Sequence, residues 1–156
     1  MSPSPTPIGV AVFPVTPLQQ NCTLVWCRKT LKAAIIDPGA SVDALLGAVG
    51  EPDIGHFFPP ADESIRGISS LEILRQIAAI LTEKGAIIHN IDATLIAERP
   101  KILPHVPQMK EHLAAVLGIS VGQVGVKATT NERMGFPGRE EGMCAMAIAT
   151  VDLPFP

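Results

Sequence analysis

Apolar and polar positions alternate along this chain with two different periods. Leu71, Leu74, Ala78 and Leu81 recur at helical spacing, Ser69-Ser70-Leu71-Glu72 ahead of them reads as a capping box, and Lys84-Gly85 closes the run. The same spacing predicts a helix from Pro104 to Leu117, with Val106, Met109, Leu113 and Val116 as its stripe and Gly118 at its end. Ser41 is placed to cap a shorter helix through Asp43-Ala44-Leu45-Leu46-Gly47-Ala48. Between the longer helices residues 86–97 alternate as a strand, with Ile87, Ile91, Ala93 and Leu95 assigned to one face. Val124, Val126 and Ala128 mark another strand, and Met143 to Val151 the last.

The first forty residues read differently. Residues 1–7 form a Ser/Pro/Thr tail, and three β-rich stretches follow, Gly9–Val15, Thr23–Cys27 and Ala33–Ile36, as expected of a small antiparallel sheet. Asp37-Pro38-Gly39 is a turn signal, and Glu51 to Asp62 reads as a Gly/Pro/Phe-rich loop. Helices that alternate with strands call for layered α+β or α/β packing.

Composition narrows the function classes. The chain has 156 residues, the size of one domain, and 47% of them are hydrophobic against 17% charged. So apolar a balance is reconciled by surface hidden in an oligomer. A net charge of −3 without a Lys/Arg block argues against nucleic-acid or membrane-surface binding, but leaves a small anionic ligand open. No apolar run approaches a membrane span, and the start has no basic region ahead of its apolar stretch, so a cytoplasmic protein is expected. Cys22, Cys27 and Cys144 form a scattered set that reads as reduced thiols.

Several longer motifs then fall in one register. They are Asp43–Ala48, Asp53-Ile54-Gly55-His56-Phe57-Phe58-Pro59, Ile91-Asp92-Ala93-Thr94-Leu95-Ile96 and Arg99-Pro100-Lys101-Ile102-Leu103-Pro104-His105. Val126-Lys127-Ala128-Thr129-Thr130-Asn131-Glu132 and Gly135-Phe136-Pro137-Gly138-Arg139-Glu140-Glu141-Gly142 continue the series. From about Asp43 to the C-terminus the chain resembles the 2-C-methyl-D-erythritol 2,4-cyclodiphosphate synthase family. The resemblance implies an α+β fold, a mixed β-sheet backed by helices, and a homotrimer with active sites between subunits. It implies conversion of a cytidine-diphosphate-linked methylerythritol phosphate to the cyclic diphosphate, with release of cytidine monophosphate. The substrate's own phosphate is the nucleophile, so the protein positions it and neutralises charge.

Residue roles follow from the same match. Asp43, Asp53, Gly55, Phe58 and Asp62 would line the methylerythritol phosphate pocket, with Phe136 and Arg139 on the phosphate side. Ala97, Pro100, Lys101, Ile102 and Leu103 would read the cytosine, and Ala128, Thr129 and Thr130 would hold the diphosphate. Thr130 would donate to developing phosphoryl charge, and Glu132 would hold a Mg2+ or Mn2+ that bridges the phosphates. Taken singly, Asp53 is as readily a turn acid, Thr129 and Thr130 are ordinary strand residues, and Lys101 and Arg139 are solvated surface charges. His105 and His112 read as exposed or capping residues of the helix after Pro104.

The family's zinc ligands, an Asp-x-His pair and a helix histidine, have no counterpart here. The helix position falls at Gly39, a loose threading of the pair falls on Pro14 and Thr16, and no histidine precedes His56. The family's His-Ser-Asp-Gly-Asp loop is absent as well. Zinc is expected for the family because a Lewis acid polarises the phosphate under attack. Residues from about Ala11 to Ala40 (Val15-Thr16-Pro17-Leu18-Gln19-Gln20-Asn21-Cys22-Thr23-Leu24-Val25-Trp26 and Ala33-Ala34-Ile35-Ile36-Asp37-Pro38-Gly39) resemble instead the opening strands of glyoxalase-II-like metallo-β-lactamase-fold hydrolases, without the hydrolase motif His-x-His-x-Asp-His. The expected organisation is a divergent β-rich segment, 1–42, joined to a synthase-like region, 43–156, folded as one domain. The expected function is a synthase of impaired turnover. The alternatives are a non-catalytic cytidine-nucleotide-binding or purely structural trimer, a metallo-hydrolase acting on thioesters, and a chimera that does not fold stably.

Overall fold

The computed structural model describes the backbone of residues 8–14, 21–27, 33–36 and 39–154, and side chains from Ala40 onward. The readings of Cys22, Cys27 and the Ser/Pro/Thr tail lie outside what is described. Three strands, β1 (Ile8–Pro14), β2 (Asn21–Cys27) and β3 (Ala33–Ile36), form an antiparallel sheet in the order β1-β2-β3, with Val10 opposite Val25 and Leu24 opposite Ile35.

Helix α1 (Gly39–Ala48) begins earlier than predicted. Ser41 lies inside it and is buried, so it does not cap the helix. The reason is the apolar stripe Val42, Leu45, Leu46 and Val49, all buried, which needs a helical turn already in place at Val42. The stretch expected as loop contains a one-turn helix, α2 (Ile54–Phe57), whose N-cap is Asp53. Helix α3 (Ser70–Glu83) is capped by Ser69, whose hydroxyl accepts the Leu71 N–H at 3.3 Å. The predicted reciprocal half of the box does not form, because Glu72 turns along the helix to Arg75 and Gln76. The buried face of α3 is Ile73, Leu74, Ile77 and Leu81, with Leu71 and Ala78 on its flank. It is rotated from the predicted stripe toward the residues with the most apolar area.

The second sheet has the order β5-β4-β6. β4 (Ile87–Ile96) is its centre, parallel to β5 (Val124–Thr129) and antiparallel to β6 (Cys144–Asp152). The connection from β4 to β5 is a crossover through a 3-10 turn (Leu103–His105), helix α4 (Val106–Leu117) and Gly118, whose φ of 68° ends the helix. α4 lies over β5, α1 over β6, and α3 packs against both helices. Their apolar sides meet Ile91, Leu95, Val124 and Val126 in one core. On α4 that side is Met109, Leu113, Ala114 and Leu117, with Val106 and Val116 partly covered.

The predicted alternation of β4 fails at its start. A register shift between Ile88 and Asn90 inserts a residue, so Ile88 points inward with 9% of its surface exposed while Ile87 is 61% exposed. The bulge is held by Gln123, whose side-chain amide donates to the Ile88 and His89 carbonyls at 3.1 and 3.0 Å. Asn90 returns a bond to the Gln123 carbonyl at 3.1 Å. The opposite sheet face carries Asp92 and Thr94 from β4, Lys127 from β5, and Met146 and Ile148 from β6, the last two 56% and 71% exposed. Asp92 pairs there with Lys127 across Gly125, where a Cβ would stand 2.6 Å from the Asp92 carboxylate.

Candidate functional site

Because β4 and β5 are parallel, their C-terminal ends lie side by side, with Ile96 opposite Thr129. The Ala97 N–H extends the ladder by donating to the Thr129 carbonyl at 2.9 Å. The two segments that leave these ends, Ala97 to Leu103 and Thr130 to Met134, are therefore neighbours. Glu98 joins them, its Oε1 accepting the N–H groups of both Asn131 and Arg133 at 3.1 Å. The second segment is a tight turn in which Glu132 and Arg133 hold φ of 51° and 61°. Within it the Thr130 hydroxyl donates to Glu132 Oε1 at 2.6 Å, and the Asn131 amide donates to the Met134 carbonyl at 2.8 Å. Helix α5 (Gly135–Gly138) packs beneath, and a Cβ on Gly138 would collide with the Arg133 backbone.

An open cleft of about 860 Å³ lies between these loops, lined by Glu98, Pro100, Lys101, His105, Arg133 and Arg139 among others. Arg139 meets Glu141 in a two-pronged ion pair at 2.8 and 2.9 Å. Hydrogen bonding to Arg139 holds the Glu141 carboxyl below the ordinary range, and the same contact raises the guanidinium. Arg99 reaches Glu140 at 3.2 Å. The geometry thus gathers the cations Lys101, Arg133 and Arg139 in a cleft at the end of two parallel strands, the customary place for a ligand beside a parallel sheet, with Thr129, Thr130 and Glu132 on the adjoining strand end and turn outside its lining.

The residues expected to bind the sugar phosphate form a separate set. Asp43 Oδ1 accepts the Ile54 N–H at 2.9 Å, and Asp53 Oδ1 accepts the His56 N–H at 3.2 Å. Gly55 sits against Asp53, where a Cβ would be 3.4 Å from its carboxylate. Asp62 accepts the Ser64 N–H at 2.9 Å, and hydrogen bonds from Ser64, side chain then backbone, hold its carboxyl below the ordinary range. The Phe58 side chain packs in the core. None of the five lines the cleft.

Within the cleft region Pro100, Lys101 and Arg139 face the opening, whereas the Ile102 side chain is buried and Leu103 and Phe136 are exposed. Thr129 donates its hydroxyl to the Thr130 carbonyl at 3.2 Å, and Ala128 is half-buried on β5. Sequence reasoning missed Glu98 and Arg133, whose roles rest on contacts between distant segments, and the close approach of Gly138 to the Arg133 backbone. His105, expected exposed or capping, lines the cleft, and His112 is half-buried with its Nδ1 lacking a partner. Among the described residues no three His, Cys, Asp or Glu side chains cluster to hold a metal, and no helix is long and apolar enough to cross a membrane.

The sequence profile of the YgbB family matches residues 38–152. The chain belongs to the YgbB family. Among its relatives, the 2-C-methyl-D-erythritol 2,4-cyclodiphosphate synthase of Dehalococcoides mccartyi is 53% identical over 113 residues, 72% of this chain and 72% of that protein. The synthase of Symbiobacterium thermophilum is 53% identical over 112 residues, again 72% of this chain and 71% of the relative. Among solved structures, a 2C-methyl-D-erythritol-2,4-cyclodiphosphate synthase in its CDP-bound form shares the YgbB fold with a TM-score of 0.68 at 25% identity, over 93% of this chain and 98% of that one. The bifunctional IspDF from Campylobacter jejuni gives 0.73 at 26% identity, over 94% of this chain and 41% of the larger protein. The mixed α+β architecture, with its three-stranded mixed sheet, is that of these YgbB structures.

Proposed function

We propose that this YgbB-family chain is a 2-C-methyl-D-erythritol 2,4-cyclodiphosphate synthase homologue that binds a cytidine-diphosphate-linked substrate and cyclises it, with impaired turnover. The observation that carries the reading is the hydrogen-bonded union of the segments after β4 and β5 around a cation-lined cleft. Identity of 53% to synthases over that region supports the substrate class.

In this reading Ala97, Pro100, Lys101, Ile102 and Leu103 offer the base a backbone edge, which is why a buried Ile102 side chain is no obstacle. Ala128, Thr129 and Thr130 hold the diphosphate, and Thr130 donates to phosphoryl oxygens as charge builds on them. The Glu132 carboxylate beside the Thr130 hydroxyl is a hard oxygen donor set that fits Mg2+ or Mn2+ held jointly with phosphates. Such an ion, when bound, neutralises phosphate charge. Glu141 engages Nε and Nη2 of Arg139, which leaves Nη1 for a phosphate oxygen beside Phe136.

The residues present do not fit the family's zinc. No histidine precedes His56, and the described residues hold no cluster of three donors. No step is therefore routed through zinc, and slow cyclisation follows from its loss. We also read the chain as a homotrimer. The helix-free sheet face with exposed Met146 and Ile148 is suited to contact between copies, and a neighbour's cleft would then meet the Asp43, Asp53, Gly55, Phe58 and Asp62 set, which lies outside the cleft of its own chain. Residues 1–42 read as a β-rich segment of divergent sequence, since the family match begins at residue 38 whereas the fold likeness to a solved synthase extends over 93% of this chain.

Calorimetry with cytidine diphosphate and Mg2+, beside zinc analysis and an assay of cytidine monophosphate release, tests the reading. Saturable heat with slow release and less than one zinc per subunit is expected. No heat at millimolar nucleotide would overturn the substrate class, and full-rate release with one zinc per subunit would overturn the impairment. Binding without any release would leave the non-catalytic, nucleotide-binding trimer as the reading.

A further inference from the structure

We infer that Glu98 is a positioning residue for the diphosphate half of the site, holding through one carboxylate oxygen the turn that presents Thr130 and Glu132. The inference rests on the nucleotide-binding reading above and names a residue that the motifs do not single out.

The turn needs such a device. Glu132 and Arg133 are consecutive residues with a Cβ in the left-handed region, a conformation that persists only where the surroundings impose it. Three contacts impose it here. Glu98 Oε1 takes the Asn131 and Arg133 N–H groups, one on each side of Glu132. Asn131 ties its own side chain to Met134, closing the turn from the other end. Gly138 lets the Arg133 backbone approach α5 more closely than any Cβ would permit. Of the three, Glu98 alone comes from the other loop, and an ionised acceptor makes the stronger bonds.

The consequence for chemistry is direct. With both neighbouring amides fixed, the Glu132 carboxylate stands 2.6 Å from the Thr130 hydroxyl, and a turn held in this way leaves less to be ordered when a ligand binds. Glu98 also follows Ala97 and precedes Pro100 and Lys101, so one side chain couples the base-reading segment to the phosphate-reading turn. Its Oε1 is already engaged by the two amides, and it acts on phosphate through the turn rather than by touching it.

The test uses the full chain and three substitutions, Glu98→Gln, Glu98→Asp and Glu98→Ala. Calorimetry compares cytidine diphosphate with Mg2+ against cytidine monophosphate, and hydrogen exchange follows the Asn131 and Arg133 amides without ligand. Glu98→Gln keeps an acceptor oxygen in place and should stay within about threefold of the parent. Glu98→Ala should weaken diphosphate binding roughly tenfold or more while monophosphate binding changes less than about threefold. Glu98→Asp withdraws the oxygen by one methylene and should resemble Glu98→Ala although the charge remains, which keeps the test decisive if the alanine variant does not fold. Both amides should exchange faster in the Asp and Ala variants alone. Unchanged protection, or equal losses for monophosphate and diphosphate, would overturn the inference. Absence of nucleotide binding by the parent chain would sink the proposed function instead, and the exchange data would still decide whether Glu98 holds the turn.

Discussion

Asp62 takes both the backbone N–H and the hydroxyl of Ser64, and that pairing favours its ionised form. A folded pKa below the unfolded value means that the stabilisation is present above the unfolded pKa and is lost as pH falls through the folded one. An NMR titration of the Asp62 carboxyl should therefore find a midpoint below the ordinary value of about 3.9, and Ser64→Ala should move it upward. An unmoved midpoint would show that the hydroxyl is not the cause. Gly138 gives a second prediction. Gly138→Ala places a methyl group on the Arg133 backbone and should cost about 2 kcal/mol or more, read as a lower melting temperature, because backbone rather than a flexible side chain must yield. At this scale the sequence is a partial guide. Lys101, Thr130 and Glu132 are visible in a motif, but the acceptor that organises them is not, since Glu98 finds its partners only after β4 and β5 pair.

At the level of elements, periodicity identified both long helices and the strands of the second sheet, and missed details that tertiary contacts decide. The stripe on α3 was placed by leucines, whereas Ile73 and Ile77 face the core because the helix is wedged between α1 and α4. Asp53 caps an unpredicted turn of helix, a local use of an acid that the spacing could not separate from ligand binding. The β-bulge in β4 is the clearest case, because one inserted residue exchanges the environments of Ile87 and Ile88. Ile88→Ala should cost about 2–5 kcal/mol and Ile87→Ala less than about 0.5 kcal/mol, measured by urea unfolding. Equal costs would show that the strand runs without the bulge.

For the whole molecule, a composition of 47% hydrophobic residues calls for some apolar surface, and two of the exposed large hydrophobics, Met146 and Ile148, stand on the helix-free sheet face beside Asp92 and Lys127. On the proposed homotrimer reading, the parent chain should sediment as a trimer and Ile148→Glu should shift it to a monomer while leaving the far-ultraviolet circular dichroism intact; a monomeric parent would overturn the trimer, and a trimer that survives the substitution would place the interface elsewhere. Composition predicts that such a face exists, but which strand carries it depends on the order β5-β4-β6. That order also bears on how the molecule is made. β4 is the spine of the sheet, yet Ile96 must wait for Cys144 and Ile87 for Asp152 before its antiparallel side is closed. The helices α3 and α4 can form from near neighbours in the chain, but this pairing closes a long loop whose entropy is lost before contacts repay it. The last strand is thus the kinetic keystone. Until it docks, one edge of β4 presents an unpaired row of backbone groups, a template on which another chain can pair.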